Sequence, residues 1–289
     1  MSQIDDVEGW LSNSTALYSH ALMKYQTEQS IIGNICEIGV HHGRYFLALA
    51  LGLRDDERAV AIDLFEEQEQ NIDNSGRGDK DIFLSNFDKF MNRSQLDIIT
   101  GNSLRITSAM INSHGLVRFF SIDGGHDENT TANDLRLAER SILRDGIVAL
   151  DDILSSHWTG VISGLVRYLR EGGSLQPMVL VPNKLFLGFP ESFDRYRTYM
   201  REEFKDTLQL MDREFFGSTV DVFGERSVKN SVADQNRYDI DTNKLEAEAA
   251  QLRAENALLK SELADLMSSR RYRLGASIAS IYNAVRSRT

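Results

Sequence analysis

Five short apolar runs recur along the chain with helical stretches between them: Ile35 to Val40, Ala59 to Ile62, Leu96 to Thr100, Phe119 to Ile122 and Ile147 to Leu150. Runs this short, without polar alternation, suit strands covered on both faces. Strands that alternate with helices fold into an open, doubly wound α/β sheet with mostly parallel neighbours. Between the fourth and fifth runs, Leu135, Ala138, Ile142 and Leu143 share one helical face, and Asp145-Gly146 reads as the helix stop. Two further runs, Met178 to Val181 and Leu185 to Phe189, flank Pro182-Asn183-Lys184 and read as an antiparallel hairpin closing the sheet.

At 289 residues and 42% apolar, the chain can fill a sizeable core, and the expectation is a soluble globular protein. Acidic residues outnumber basic ones 43 to 32, for a formal charge of −11, which argues against a general grip on nucleic acid. Cys36 is the single cysteine, so no intramolecular disulfide forms; a small core residue in a reducing cytoplasm accounts for it. The start MSQIDDVEGWL is acidic where a signal peptide is basic and then apolar, and no apolar run reaches the roughly 18 residues of a membrane span. A cytoplasmic location is expected.

Composition changes near residue 226. The first domain is therefore taken as 1–226 and the polar stretch 227–242 as a linker. Over 243–267, Leu245, Leu252, Leu259 and Leu266 recur every seven residues, with Asn256 at an inner position. That pattern is a coiled-coil seam pairing two copies, or else one amphipathic helix docked on the domain. The tail 268–289 holds five arginines and no acid, with Leu274, Ile278, Ile281 and Val285 at helical spacing, suited to an anionic membrane surface or a partner protein.

Ligands of open α/β sheets bind beyond the carboxyl ends of the strands, so residues there carry the chemistry. The first run ends in NICEIGVHHG, where Gly39 and Gly43 allow close backbone approach before a helix. The spacing is not that of a nicotinamide-binding turn. The second run ends at Asp63, 24 residues after Gly39, where an acid meets ribose hydroxyls or simply caps the next helix. The third ends in Gly101-Asn102-Ser103, suited to the edge of an adenine. The fourth ends at Asp123, with His126 three residues on, and the fifth at Asp151-Asp152. The polar, glycine-containing stretch after Asp63 reads as a lid, a subunit contact or a plain surface loop. Trp158 reads as core, interface or acceptor-pocket wall.

Glu37-x-Gly39-x-x-x-Gly43, Asp63, Gly101-Asn102-Ser103 and a strand ending at Asp123 together resemble the class I S-adenosylmethionine-dependent methyltransferases, over roughly residues 30 to 190. The resemblance implies a seven-stranded sheet with a reversed last strand. It also implies that Glu37 and the glycine turn hold the methionine end, Asp63 the ribose and the third-strand loop the adenine. His41 and His42 stand where the family often has its middle glycine. Asp123-x-x-His126, with Asp151-Asp152 beginning 28 residues after Asp123, is similar to the metal-dependent sugar O-methyltransferases of the macrocin and mycinamicin type. That similarity makes Asp123, Asp151 and Asp152 ligands of Mg²⁺ or Mn²⁺ and His126 the general base. Oxygen-rich donor sets suit such cations.

The function that follows is methyl transfer from S-adenosylmethionine to a sugar hydroxyl, in surface polysaccharide, glycolipid or glycosylated natural-product assembly. The sequence LMSSRRYRLGASIASIYNAV resembles the tails of enzymes of surface-glycan assembly. The implied partners are a glycan acceptor, a second copy of the chain through the seam, and a glycan-assembly protein or the inner face of the membrane. A phenolic or macrolide acceptor is the alternative, and a non-catalytic coiled-coil assembly protein on the same scaffold is the rival from another class.

Overall fold

The computed structural model describes residues 4–226, so the expected linker, coiled coil and basic tail lie outside the described residues. In chain order the elements are α1 (Asn13–Glu28), β1 (Asn34–Ile38), α2 (Arg44–Ala50), β2 (Ala59–Asp63), α3 (Lys80–Phe90), β3 (Leu96–Thr100), α4 (Ser108–Asn112), β4 (Val117–Ile122), α5 (Glu128–Ser141) and β5 (Ile142–Asp151). They continue with α6 (Thr159–Arg170), β6 (Gln176–Val181), β7 (Lys184–Gly188), α7 (Phe193–Glu203), β8 (Leu208–Phe215) and β9 (Ser218–Phe223).

The strands form one sheet in the order β3-β2-β1-β4-β5-β7-β6-β9-β8. β3, β2, β1, β4 and β5 run parallel, and β7 runs antiparallel to both its neighbours, β5 and β6. Successive residues of a strand face opposite sides, and the core divides accordingly. Ile35, Phe119 and Ile147 pack with Leu22, Phe46 and Phe83 on one side, while Cys36, Phe120 and Val148 pack with Leu135, Val161 and Leu165 on the other. Burial on both faces is why these strands read as unbroken apolar runs. Among the described residues no helix is long and apolar enough to cross a membrane.

Two expectations are corrected. The sheet has nine strands rather than seven, because β9 adds to the free edge of β6 (Val179↔Asp221, Leu180↔Val222) and carries β8 beyond it. The β6–β7 hairpin therefore does not close the sheet. β9 is fastened by Asp221, which is fully buried and accepts from Arg197 at 2.9 and 3.1 Å and from Arg201 at 2.7 Å through both of its oxygens. Second, α5 stops at Ser141: Leu135 and Ala138 do face the core, but Ile142 already pairs with Val117 in β5, and the register shifts before Ile147.

At the amino ends of the strands lies Arg118 of β4, completely buried. Its guanidinium donates to both oxygens of Glu57 at 2.8 Å, to the carbonyls of Met23, Gly33 and Gly52, and to Gln26. β1 lies between β2 and β4, so the helices that follow β1 and β4 leave on opposite faces and a crevice opens at the carboxyl ends between them.

Candidate active site

A cavity of about 620 Å³ fills this crevice, large enough for a nucleoside-sized ligand and a small acceptor. All the site residues expected from the sequence line it except Glu37 and Gly43. Its donor half is built from backbone. Gly39 sits at φ +86°, and a Cβ there would lie 1.8 Å from the carbonyl oxygen of Asp123, so no other residue fits. Asp63 accepts the His41 N–H at 2.8 Å and the Phe65 N–H at 2.7 Å, fixing the glycine turn against the end of β2; burial raises its pKa despite these bonds. Gly101, at φ +139°, lines the cavity with open space where a side chain would stand. Asn102 caps the turn after β3 through Leu104 N–H at 2.9 Å, and Ser103 is buried beside it.

Glu37 lies beneath this floor. It is buried, receives Ser121 Oγ at 2.9 Å on one oxygen and has no partner on the other. Burial pushes its pKa up to about 8. Gly43 serves as the left-handed N-cap of α2, with the Phe83 ring against it.

The other half of the cavity wall is built from side-chain charge. β4 and β5 deliver Asp123 and Asp152 to the same side of the cavity, and His126 Nε2 stands 3.8 and 3.3 Å from them. One donor atom from each of the three lies within 4.8 Å of the others. Burial alone would lower the pKa of His126, but Asp123, Asp152 and Asp73 outweigh it and push it up to about 10. Asp151 also lines the cavity. It forms an ion pair with the buried Lys184 and accepts Asn183 Nδ2 at 2.8 Å, while its burial and the nearby Asp123 carboxylate push its pKa up to about 8. Lys184 in turn sits 4.1 Å over the Tyr45 ring. Asp152 takes a left-handed φ of +54°, and its Oδ1 accepts the same Asn183 Nδ2 at 3.1 Å that Asp151 holds.

Sequence reasoning missed Lys184, Asp73 and Trp10. Lys184 had a signal: a lysine opening the buried strand KLFLG needs a counter-ion. Trp10, 78% exposed, stands at the rim with its ring 5.6 Å from that of His41. Trp158 proves to be a cavity wall, stacked on His126 with 4.2 Å between centroids. The stretch after Asp63 lies against the cavity and supplies Gln68, Asn71, Ile72 and Asp73 to its lining.

A parallel sheet with a reversed strand beside β5, a glycine turn at β1 and an acid closing β2 resemble the arrangement of class I methyltransferase domains. Residues 36–153 match a family described as a methyltransferase domain. The fold is that of the O-methyltransferase NovP, with a TM-score of 0.51 and 11% identity over 61% of this chain and 79% of that one. Also similar are CalS11, a TDP-rhamnose 3'-O-methyltransferase of calicheamicin biosynthesis (TM-score 0.46, 17% identity, 61% and 79% covered), and MycE, a mycinamycin-pathway methyltransferase solved with Mg, SAH and mycinamycin VI (0.45, 13%, 65% and 52%). A search of curated proteins gives no match to the sequence.

Proposed function

We propose that this protein transfers the methyl group of S-adenosylmethionine to a sugar hydroxyl, with a divalent cation held at the ends of β4 and β5. The observation that carries this reading is the convergence of Asp123, His126 and Asp152 on a cavity whose other wall is the glycine turn. The donor half fits the cofactor: Gly101 leaves room where a ligand would lie, and the cavity volume suits it. The acid half fits Mg²⁺ or Mn²⁺, since Asp123 and Asp152 offer carboxylate oxygens and Asp151 braces the second strand end through Lys184.

A divalent cation held by Asp123 and Asp152 would polarise an acceptor hydroxyl and lower its pKa. Such a cation would offset the negative charge that Asp123 and Asp152 direct at His126 and would leave its Nε2 able to accept a proton. His126 takes the hydroxyl proton while the acceptor oxygen bonds to the methyl carbon and the sulfonium C–S bond breaks. Trp158 holds the imidazole flat, and Trp10 and Ile72 provide apolar surface at the cavity mouth for the face of a sugar ring. Positioning of this kind supplies about 7–11 kcal/mol, more than the 10²- to 10⁴-fold typical of a general base. The choice of a sugar rests on the spacing of Asp123, His126 and Asp151-Asp152, and that of a surface glycan on the tail sequence.

The test is incubation with methyl-labelled S-adenosylmethionine and Mg²⁺, using nucleotide sugars, glycan extracts and catechol as separate acceptors. Label is expected on a sugar hydroxyl, lost with excess chelator and restored by Mg²⁺ or Mn²⁺. Full transfer in chelator would remove the cation from the reaction, and label on catechol alone would replace the sugar with a phenol.

A further inference from the structure

Asp73 comes from the segment between β2 and α3 and reaches a residue 53 positions away. Its Oδ2 accepts both the backbone N–H and the ring Nδ1 of His126, each at 2.8 Å. Its Oδ1 is held by the backbone N–H of Ser75 at 3.0 Å and by Ser75 Oγ at 2.6 Å. Both side chains are largely buried, at 15% and 9% exposure. An ionised carboxylate cannot donate a hydrogen bond, so Nδ1 carries the proton and Nε2 is the atom left to face Asp152 and Asp123. The Trp158 ring stacks on the imidazole 17° from parallel and blocks a swing to that side.

We propose that Asp73 is a positioning residue, which fixes His126 with Nε2 toward the acid-lined space and makes the segment after β2 part of the proton-transfer apparatus. The role rests on the function proposed above. The same segment walls the cavity through Gln68, Asn71 and Ile72, so ligand contact and alignment of the base are set by one piece of chain. A carboxylate behind a histidine's second nitrogen selects the working tautomer and orientation, and its removal commonly costs about 10- to 100-fold in activity or metal affinity.

The experiment combines a kinetic cycle with a measurement that needs no turnover. Asp73→Ala is expected to lower kcat about 10- to 100-fold with little change in KM for S-adenosylmethionine. Asp73→Asn, which keeps the shape and one acceptor but not the charge, should fall between. In a His126→Ala background, Asp73→Ala should cost nothing further, because the two act as a unit. In ¹⁵N-histidine-labelled protein, the low-field Nδ1 proton resonance that disappears in His126→Ala should also disappear in Asp73→Ala. A resonance that survives Asp73→Ala overturns the proposal whatever the activity, and so does an unchanged kcat or a full further loss on top of His126→Ala. If the wild type methylates nothing while Asp73→Ala still removes the resonance, the methyl-transfer reading fails and the positioning of His126 stands.

Discussion

The two ends of β4 both bear a charge, completely buried at Arg118 and half-buried at Asp123. At the amino end, Arg118 spends its donors on Glu57, Gln26 and three carbonyls, with both Glu57 contacts at 2.8 Å. At the carboxyl end, Asp123 meets His126 at 3.8 Å and stands near the Asp151 carboxylate, and the space between these groups opens into the cavity. The first arrangement is closed: every partner is protein, and the charges are matched. The second leaves acids crowded around a gap that protein does not fill. The difference separates charge kept for stability from charge kept for binding, since a buried network left partly unmatched is tolerated where a ligand completes it.

The sharpest way to break this comparison is Asp123→Asn, which keeps the shape and removes one charge. Cation-assisted stabilisation is worth several kcal/mol, so methyl transfer should fall on the order of 10³-fold or more while the melting temperature holds or rises as repulsion with Asp151 is relieved. Parallel turnover and thermal-unfolding measurements decide it, and a large loss of stability with activity kept would put Asp123 in the structural class. Next in size is Arg118→Met, which removes the fully buried partner of Glu57 and leaves it only Arg54 as a cationic contact. A loss of about 3–5 kcal/mol is expected in denaturant unfolding, with turnover per folded molecule unchanged at low temperature. Wild-type stability in this variant would mean that the closed network contributes nothing.

The smallest effect concerns Glu37. In the unfolded chain it ionises near 4.5, whereas burial holds its proton in the folded protein until about pH 8. The folded state binds more protons across that window, so this contribution to stability is whole below pH 4.5 and declines as pH rises toward 8. Glu37→Gln, which mimics the neutral acid, should remove the decline and gain on the order of 1 kcal/mol or more at pH 8, with no gain at pH 4. Equal shifts at both pH values would show that Glu37 is ionised in the fold.

The parallel half of the fold was legible because most of its strands are covered on both faces, so Ile35, Val60, Phe119 and Val148 each lie in a short, mostly apolar run. β8 was not, since LQLMDREF is a largely exposed edge strand whose polar residues carry no period-2 signal. Ile142 and Leu143 were misplaced because they continue the helical spacing of Leu135 and Ala138, and only pairing with Val117 reveals a strand. In the site, strand ends announced Asp123, Asp151 and Asp152. They did not show that Asp151 would turn to Lys184, because that depends on β7 being inserted beside β5. Asp73 belongs to a loop whose contact with His126 spans 53 residues, and such a pair leaves no local pattern.

Gly39 gives the two halves of the cavity a common datum. With the Asp123 carbonyl where a Cβ would stand, the glycine turn after β1 and the end of β4 touch main chain to main chain. Under the proposed function, this junction would set the span from donor sulfur to acceptor oxygen by peptide geometry rather than by side-chain conformation. The cavity mouth, built from Trp10, Ile72 and Trp158, carries no such tie. Acceptor choice can diverge there by ordinary substitution while the reaction distance stays constant, which makes the mouth the place to retarget this scaffold and the Gly39–Asp123 junction the place to leave alone.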